Sequence, residues 1–380
     1  MRLRMAFGAA IGIGAVFLIT SFYQQVMRPA PNSNDISAYQ ASGKVMWDAD
    51  GTLHLPAHAF PMSEMISPVM KQAYVQQLGN LQGWPAPPGY DQPIEVWEAY
   101  WKVFDEQVMN RQFMRWQEIY PVDVTEQTMA GVRTDVVVPK GGVSEKNTNR
   151  VLINLHGGGF NTGAGIGGLV ESIPISGLMK IKVISVDYRQ GPLHKYPAAS
   201  EDVALVYAEL LKEYAPENIG IYGCSAGGRL TAQAAAWFQT QNLPNPGGIG
   251  VFCSGAGGGR GDTGPWGAAG LYSPPPLNPS EVSTEGYMGG VDSNDPIAAP
   301  ATSLEVLAKF PPTLLVSGTR SGDLSPSAYM HTQLLKVGVD AEIYVAEGGW
   351  HGFSFAQPDM PEATDANAYI VKWFDEHLGK

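Results

Sequence analysis

Two regimes of hydrophobic patterning divide this chain. From residue 122 onward, short apolar runs recur between longer amphipathic stretches. Val151-Leu152-Ile153-Asn154-Leu155 and Val183-Ile184-Ser185-Val186 are almost continuously apolar, the pattern of strands covered on both faces. Residues 219–223, 249–253, 313–316 and 342–345 repeat that pattern, and residues 132–138 read as a further strand stopped by Pro139. Between these runs, residues 197–214, 226–239, 325–337 and 361–378 read as helices, with Pro197 suited to a first turn. Strands alternating with helices predict an α/β fold: a mainly parallel sheet with helices on both faces. The rhythm breaks over residues 254–302, where Gly257-Gly258-Gly259 and Pro274-Pro275-Pro276 predict a long excursion, either mobile or part of a pocket wall.

Before residue 121 the pattern is different. Residues 33–120 are rich in Met, Gln, Trp and Pro, with helical readings over 67–78 and 93–116. Val96, Trp97, Tyr100, Trp101, Phe104 and Val108 recur at helical spacing, which predicts a core-facing stripe and an apolar lid on different faces. At the start, Arg2 and Arg4 precede an apolar run over residues 5–23, about 19 residues and just long enough to span a bilayer. A polar, Pro-rich segment follows. This is the layout of a secretory signal or an uncleaved membrane anchor, so export to the periplasm or medium is expected, with release and anchoring both open. The expected organisation is a signal or anchor with linker over 1–32, a helical cap over 33–120 and a catalytic α/β domain over 121–380.

Composition narrows the class. With 24 Lys and Arg against 36 Asp and Glu, the net charge of −12 argues against nucleic-acid binding, which needs a basic face. Two cysteines, Cys224 and Cys253, cannot build a disulfide framework. They read as buried thiols, with one bridge between adjacent strand ends left open.

The candidate chemistry centres on Gly223-Cys224-Ser225-Ala226-Gly227, a G-x-S-x-G pentad between a strand and a helix. In that setting the backbone turns sharply and lifts the serine hydroxyl clear of the sheet. Acyl transfer by serine also needs a base, an acid to orient it, and N–H donors for the oxyanion. His156-Gly157-Gly158-Gly159 follows a buried strand, and three glycines let its N–H groups converge. The expected donors are Gly158, Gly159 and Ala226. His351, after the last strand, fits the chain order serine, acid, histidine. His156 reads as structural, beneath the glycine loop. Asp323 is the only carboxylate in the loop 317–325; it could instead cap the next helix, although Ser325 and Pro326 suit the cap and first helical position. Glu347 is the alternative acid.

These motifs, with Asp187-Tyr188-Arg189, Tyr287-Met288-Gly289-Gly290, Asp295-Pro296 and His351-Gly352-Phe353, resemble the hormone-sensitive-lipase-like family of α/β-hydrolases. The resemblance covers roughly residue 122 to the C-terminus, plus a lid at the N-terminus. It implies a serine carboxylesterase acting on short to medium acyl esters, needing neither metal nor cofactor. It leaves two alternatives: a lactonase, amidase or deacetylase with the same residues, or a binding protein that keeps the fold without turnover. Two departures stand out. A thiol, Cys224, occupies a position often held by aspartate, and counting back from His351 places the family's usual acid at Ser321 rather than Asp323.

Overall fold

The computed structural model describes residues 60–81, 85–257, 261–264 and 286–380, together with two short strands, Met46–Trp47 and Leu53–His54, that pair antiparallel. The chain divides into two units, residues 1–62 and 63–380. The short pair belongs to the first; everything below concerns the second. The expected signal or anchor at 5–23 lies outside the described residues, as do 258–260 and 265–285 of the Gly- and Pro-rich excursion. Among the described residues no helix is long and apolar enough to cross a membrane.

The second unit is built on eight strands: β1 (Val122–Met129), β2 (Val132–Pro139), β3 (Val151–Leu155), β4 (Lys182–Val186), β5 (Ile219–Cys224), β6 (Gly248–Phe252), β7 (Thr313–Gly318) and β8 (Ala341–Ala346). Their order across the sheet is β8-β7-β6-β5-β3-β4-β2-β1. The six strands from β8 to β4 run parallel; β2 joins β4, and β1 joins β2, antiparallel. The strands β3, β5 and β6 are buried at every position, as their unbroken apolar runs require.

Helices α1 (Pro68–Leu81), α2 (Ile94–Phe104) and α3 (Asn110–Ile119) precede the sheet; α4 (Ile166–Met179), α5 (Ala198–Leu210), α6 (Ala226–Thr240), α7 (Leu304–Leu307), α8 (Leu324–Lys336), α9 (Phe353–Ala356) and α10 (Pro361–His377) are woven through it. The faces of the sheet divide by residue parity. Val151, Ile153, Ile219 and Ile221 pack with Val203 and Val206 of α5, Leu230 and Ala234 of α6, and Met330 and Leu334 of α8. On the opposite face, Leu152 and Phe374 of α10 crowd Gly220, and Tyr222 meets the Phe374 ring at 6.1 Å.

Three elements differ from the sequence reading. The helix expected over 93–116 is interrupted by a π turn, Asp105–Met109, between α2 and α3. The exposed, polar edge strand β1 has no apolar alternation to announce it. Helix α4 contains Gly167, Gly168, Gly177 and Pro174, residues that lower local helix preference; burial on nearly every side sustains it.

Candidate active site

The loops leaving the C-terminal ends of β3, β5, β7 and β8 bring the sequence-identified residues to one place, as open parallel sheets favour. At the end of β5, Ser225 has φ 60° and ψ −119°, a left-handed conformation that strains a residue bearing a Cβ. Its N–H donates to Phe252 O at 2.8 Å. The glycines on either side are required by packing. A Cβ on Gly223 would lie 2.2 Å from Leu155 O, and one on Gly227 only 1.7 Å from the same oxygen.

From this elbow the Ser225 hydroxyl donates to His351 Nε2 at 2.8 Å. His351 Nδ1–H donates to Asp323 Oδ1, also at 2.8 Å; a carboxylate can only accept there, which fixes the tautomer. Asp323 further accepts the Ser317 hydroxyl at 2.6 Å and the Ser321 hydroxyl. Burial pushes the Asp323 carboxyl up, but the hydrogen bond and charge of His351, with both serine hydroxyls, hold it below the ordinary aspartate value. Burial alone would depress His351; its hydrogen bond to Asp323 and that carboxylate's charge outweigh this and carry it from 6.5 to about 9.

Asp323 is therefore the partner of His351 Nδ1, and Glu347 is not. Ser321, at the position where the resemblance puts the acid, is buried and supports the displaced carboxylate with its hydroxyl. The cap expected at Ser325 is not formed. Helix α8 begins at Leu324, so Pro326 is its third residue, and the Asp323 side chain caps nothing. Ser325 instead exchanges hydrogen bonds with Thr263: Ser325 N–H donates to Thr263 Oγ1 at 2.9 Å, and Ser325 Oγ accepts from Thr263 N at 3.0 Å. A helix N-terminus supplies several free N–H groups, so the proline costs no helical bond.

The glycine loop after β3 turns through positive φ at Gly158 (109°) and Gly159 (63°). A Cβ on Gly158 would lie 2.3 Å from Thr162 O. Among the described residues, no acceptor takes the N–H of Gly158, Gly159 or Ala226. His156 lies beneath the loop, as expected: Nδ1–H donates to Gly157 O at 2.7 Å, and the ring stacks on Tyr188 at 4.2 Å. Burial lowers its pKa and keeps it neutral. Cys224 and Cys253 are buried free thiols; a hydrogen bond to Cys253, then burial, raise Cys224 well above the ordinary thiol value.

Sequence reasoning missed Glu171 of α4. Its carboxylate is buried at the base of the site and accepts from Gly157 N at 2.8 Å, Asn154 Nδ2 at 3.1 Å and Cys224 N at 3.3 Å. Burial drives it up to about 7 despite these bonds. The available signal was a lone carboxylate within the otherwise uncharged run 166–179. Of the aromatics in α2, Trp97 is wholly buried among the rings of Tyr90, Tyr100 and Trp101. Trp101 Nε1 donates to Asn161 O at 2.6 Å. Trp101 also borders a cavity of about 430 Å³ with Asp105, Thr162, Arg189, Leu193 and His194.

A sequence profile for the alpha/beta hydrolase fold matches residues 152–355. LipR of Mycobacterium tuberculosis, a protein that carries the name of an acetyl-hydrolase, is 26% identical over 263 residues, covering 66% of this chain and 80% of LipR. The crystal structure of esterase E25 superposes with a TM-score of 0.73 at 27% identity, over 86% of this chain and 99% of E25. A bacterial esterase of the hormone-sensitive lipase family shares the fold with a TM-score of 0.65 at 21% identity, over 84% of this chain and all of that one. The chain belongs to the alpha/beta hydrolase fold family that this profile describes.

Proposed function

We propose that the protein is a serine carboxylic ester hydrolase acting on short to medium acyl esters through an acyl-enzyme. The observation that carries this reading is His351, which joins Ser225 and Asp323 through two hydrogen bonds of 2.8 Å. Ser225 Oγ attacks the ester carbonyl while His351 Nε2 takes its proton, and Asp323 stabilises the imidazolium that forms. The carbonyl oxygen gains charge and is met by the N–H groups of Gly158, Gly159 and Ala226, which have no competing acceptor among the described residues. His351 then protonates the departing alcohol. Water, activated by the same imidazole, attacks the acyl-enzyme and releases the acid. The acetyl-hydrolase name of LipR supports the short end of the acyl range.

Two measurements test the reading. Ser225→Ala should abolish p-nitrophenyl acetate turnover, and a fluorophosphonate probe should label the wild type at Ser225. Turnover retained by a purified Ser225→Ala protein would overturn it.

A further inference from the structure

We propose that Glu171 is a positioning residue whose carboxylate clamps the oxyanion loop to the nucleophile elbow. This rests on the reading of Ser225 and the glycine loop given above, and adds a component that acts through them. The two halves of the site come from different crossovers: the glycine loop from β3 and the elbow from β5. Glu171 holds one backbone N–H from each. Oε1 accepts from Gly157 N at 2.8 Å, directly before the donors Gly158 and Gly159. Oε2 accepts from Cys224 N at 3.3 Å, directly before Ser225. The span between oxyanion donors and nucleophile is thus set by one rigid, planar group.

The surroundings require a carboxylate. Every polar atom bonded to its oxygens is a donor: two backbone N–H groups and Asn154 Nδ2. Asn154 is itself oriented, since its Oδ1 accepts the Ser185 hydroxyl at 3.3 Å and its amide nitrogen therefore faces Glu171. A glutamine at 171 would turn its own NH₂ towards one of these donors and lose that bond. The space is equally constrained. A Cβ on Gly157 would lie 3.0 Å from Cys224 O, 3.2 Å from Glu171 Oε1 and 3.4 Å from Ser225 Cβ, so clamp, loop and nucleophile are in mutual contact. In its ionised form, which its three donors favour against burial, Glu171 opposes negative charge on the carbonyl oxygen. Its presence is accounted for by geometry: misplaced donors forfeit more than the repulsion costs, because an oxyanion donor acts only at hydrogen-bond distance.

Two variants and a transition-state mimic test this. Glu171→Gln keeps the size of the side chain and removes one arm of the clamp. Gly157→Ala leaves the carboxylate in place and pushes a methyl group against it. Each should lower kcat for p-nitrophenyl acetate by about 10- to 100-fold with little change in KM, short of the roughly 100- to 1000-fold cost of deleting an oxyanion donor. The double variant should lose no more than the worse single one, because both break the same bridge. An alkyl trifluoromethyl ketone takes Ser225 Oγ onto its carbonyl carbon; the hydroxyl proton passes to His351 and the ketone oxygen becomes the oxyanion. Its affinity should fall in parallel with kcat/KM. A lowered unfolding midpoint with kcat within twofold of wild type would reduce Glu171 to a structural role and overturn the proposal. Additive losses, or unchanged ketone affinity beside a reduced kcat, would overturn it too. Failure of the underlying reading is seen separately, as a wild type that the fluorophosphonate does not label at Ser225.

Discussion

Replacing Asp323 by asparagine isolates the contribution of one charge in this site. The substitution preserves shape. An asparagine Oδ1 in the same place still accepts from His351 Nδ1 and the Ser321 hydroxyl, while its Nδ2 donates to Ser317 Oγ, which can turn to accept. What disappears is the negative charge facing the imidazolium. In the wild type that charge helps carry His351 from 6.5 to about 9 against the effect of burial. At about 1.4 kcal/mol per pKa unit, the net rise corresponds to about 3 kcal/mol of stabilisation of the imidazolium, or roughly a 300-fold effect on rate. If the amide turns its NH₂ towards His351 the tautomer is also lost, and the cost approaches about 10⁴-fold. Compared on the alkaline plateau, where His351 is neutral in both proteins, the expected loss in kcat on p-nitrophenyl acetate is therefore between about 300- and 10,000-fold. The pH profile should shift as well. Turnover needs neutral His351, so the wild-type kcat/KM should climb with pH above 7, and the acid limb of Asp323→Asn should move to lower pH. A loss below about tenfold, with the acid limb unmoved, would refute the reasoning and turn attention to Glu347.

Two further outcomes follow from the same geometry. Gly227→Ala forces a methyl group to within 1.7 Å of Leu155 O, where the obstacle is main chain and cannot rotate away; the destabilisation should exceed about 3 kcal/mol and lower the thermal midpoint by roughly 6 °C or more, and a midpoint within 1 °C of wild type would contradict the packing argument. The His351–Asp323 pair should also leave its mark on stability. The raised imidazole contributes stability that is full below about 6.5 and is lost as pH rises towards 9, while the lowered carboxyl contributes stability that is full above about 4 and is lost as pH falls through its folded value. Denaturant titrations of wild type and Asp323→Asn should differ most between about pH 4 and 6.5, and a difference independent of pH would count against the pair.

Much of the fold was legible along the chain, because the buried strands β3 to β7 carry their environment in composition: short, mostly apolar runs bounded by loop residues mark strands covered on both faces. The elbow was legible for a related reason. Gly223 and Gly227 stand where backbone oxygen leaves no room for a Cβ, so the local sequence records a tertiary collision. Helix α4 was not legible, since its glycines and proline argue against helix locally and only the surrounding layers hold it together. Edge strand β1 was hidden because a solvated strand needs no apolar pattern.

The sequence by itself determined the parts: a strained serine, a histidine after the last strand, a carboxylate two residues beyond its expected place, and a loop of three glycines. Only the tertiary structure decided how they meet. Whether Asp323 reaches His351 depends on the path of the turn from Gly318 to Asp323 and on two serine hydroxyls that support the carboxylate. Whether the glycine loop faces the nucleophile depends on Glu171, which lies 54 residues before Ser225 in the chain and is bonded to the residue directly before it. Hydrogen bonds and charge act through space over a few ångströms. Sequence separation carries no such distances, so residues whose effect lies in linking two others become visible only when the chain is folded.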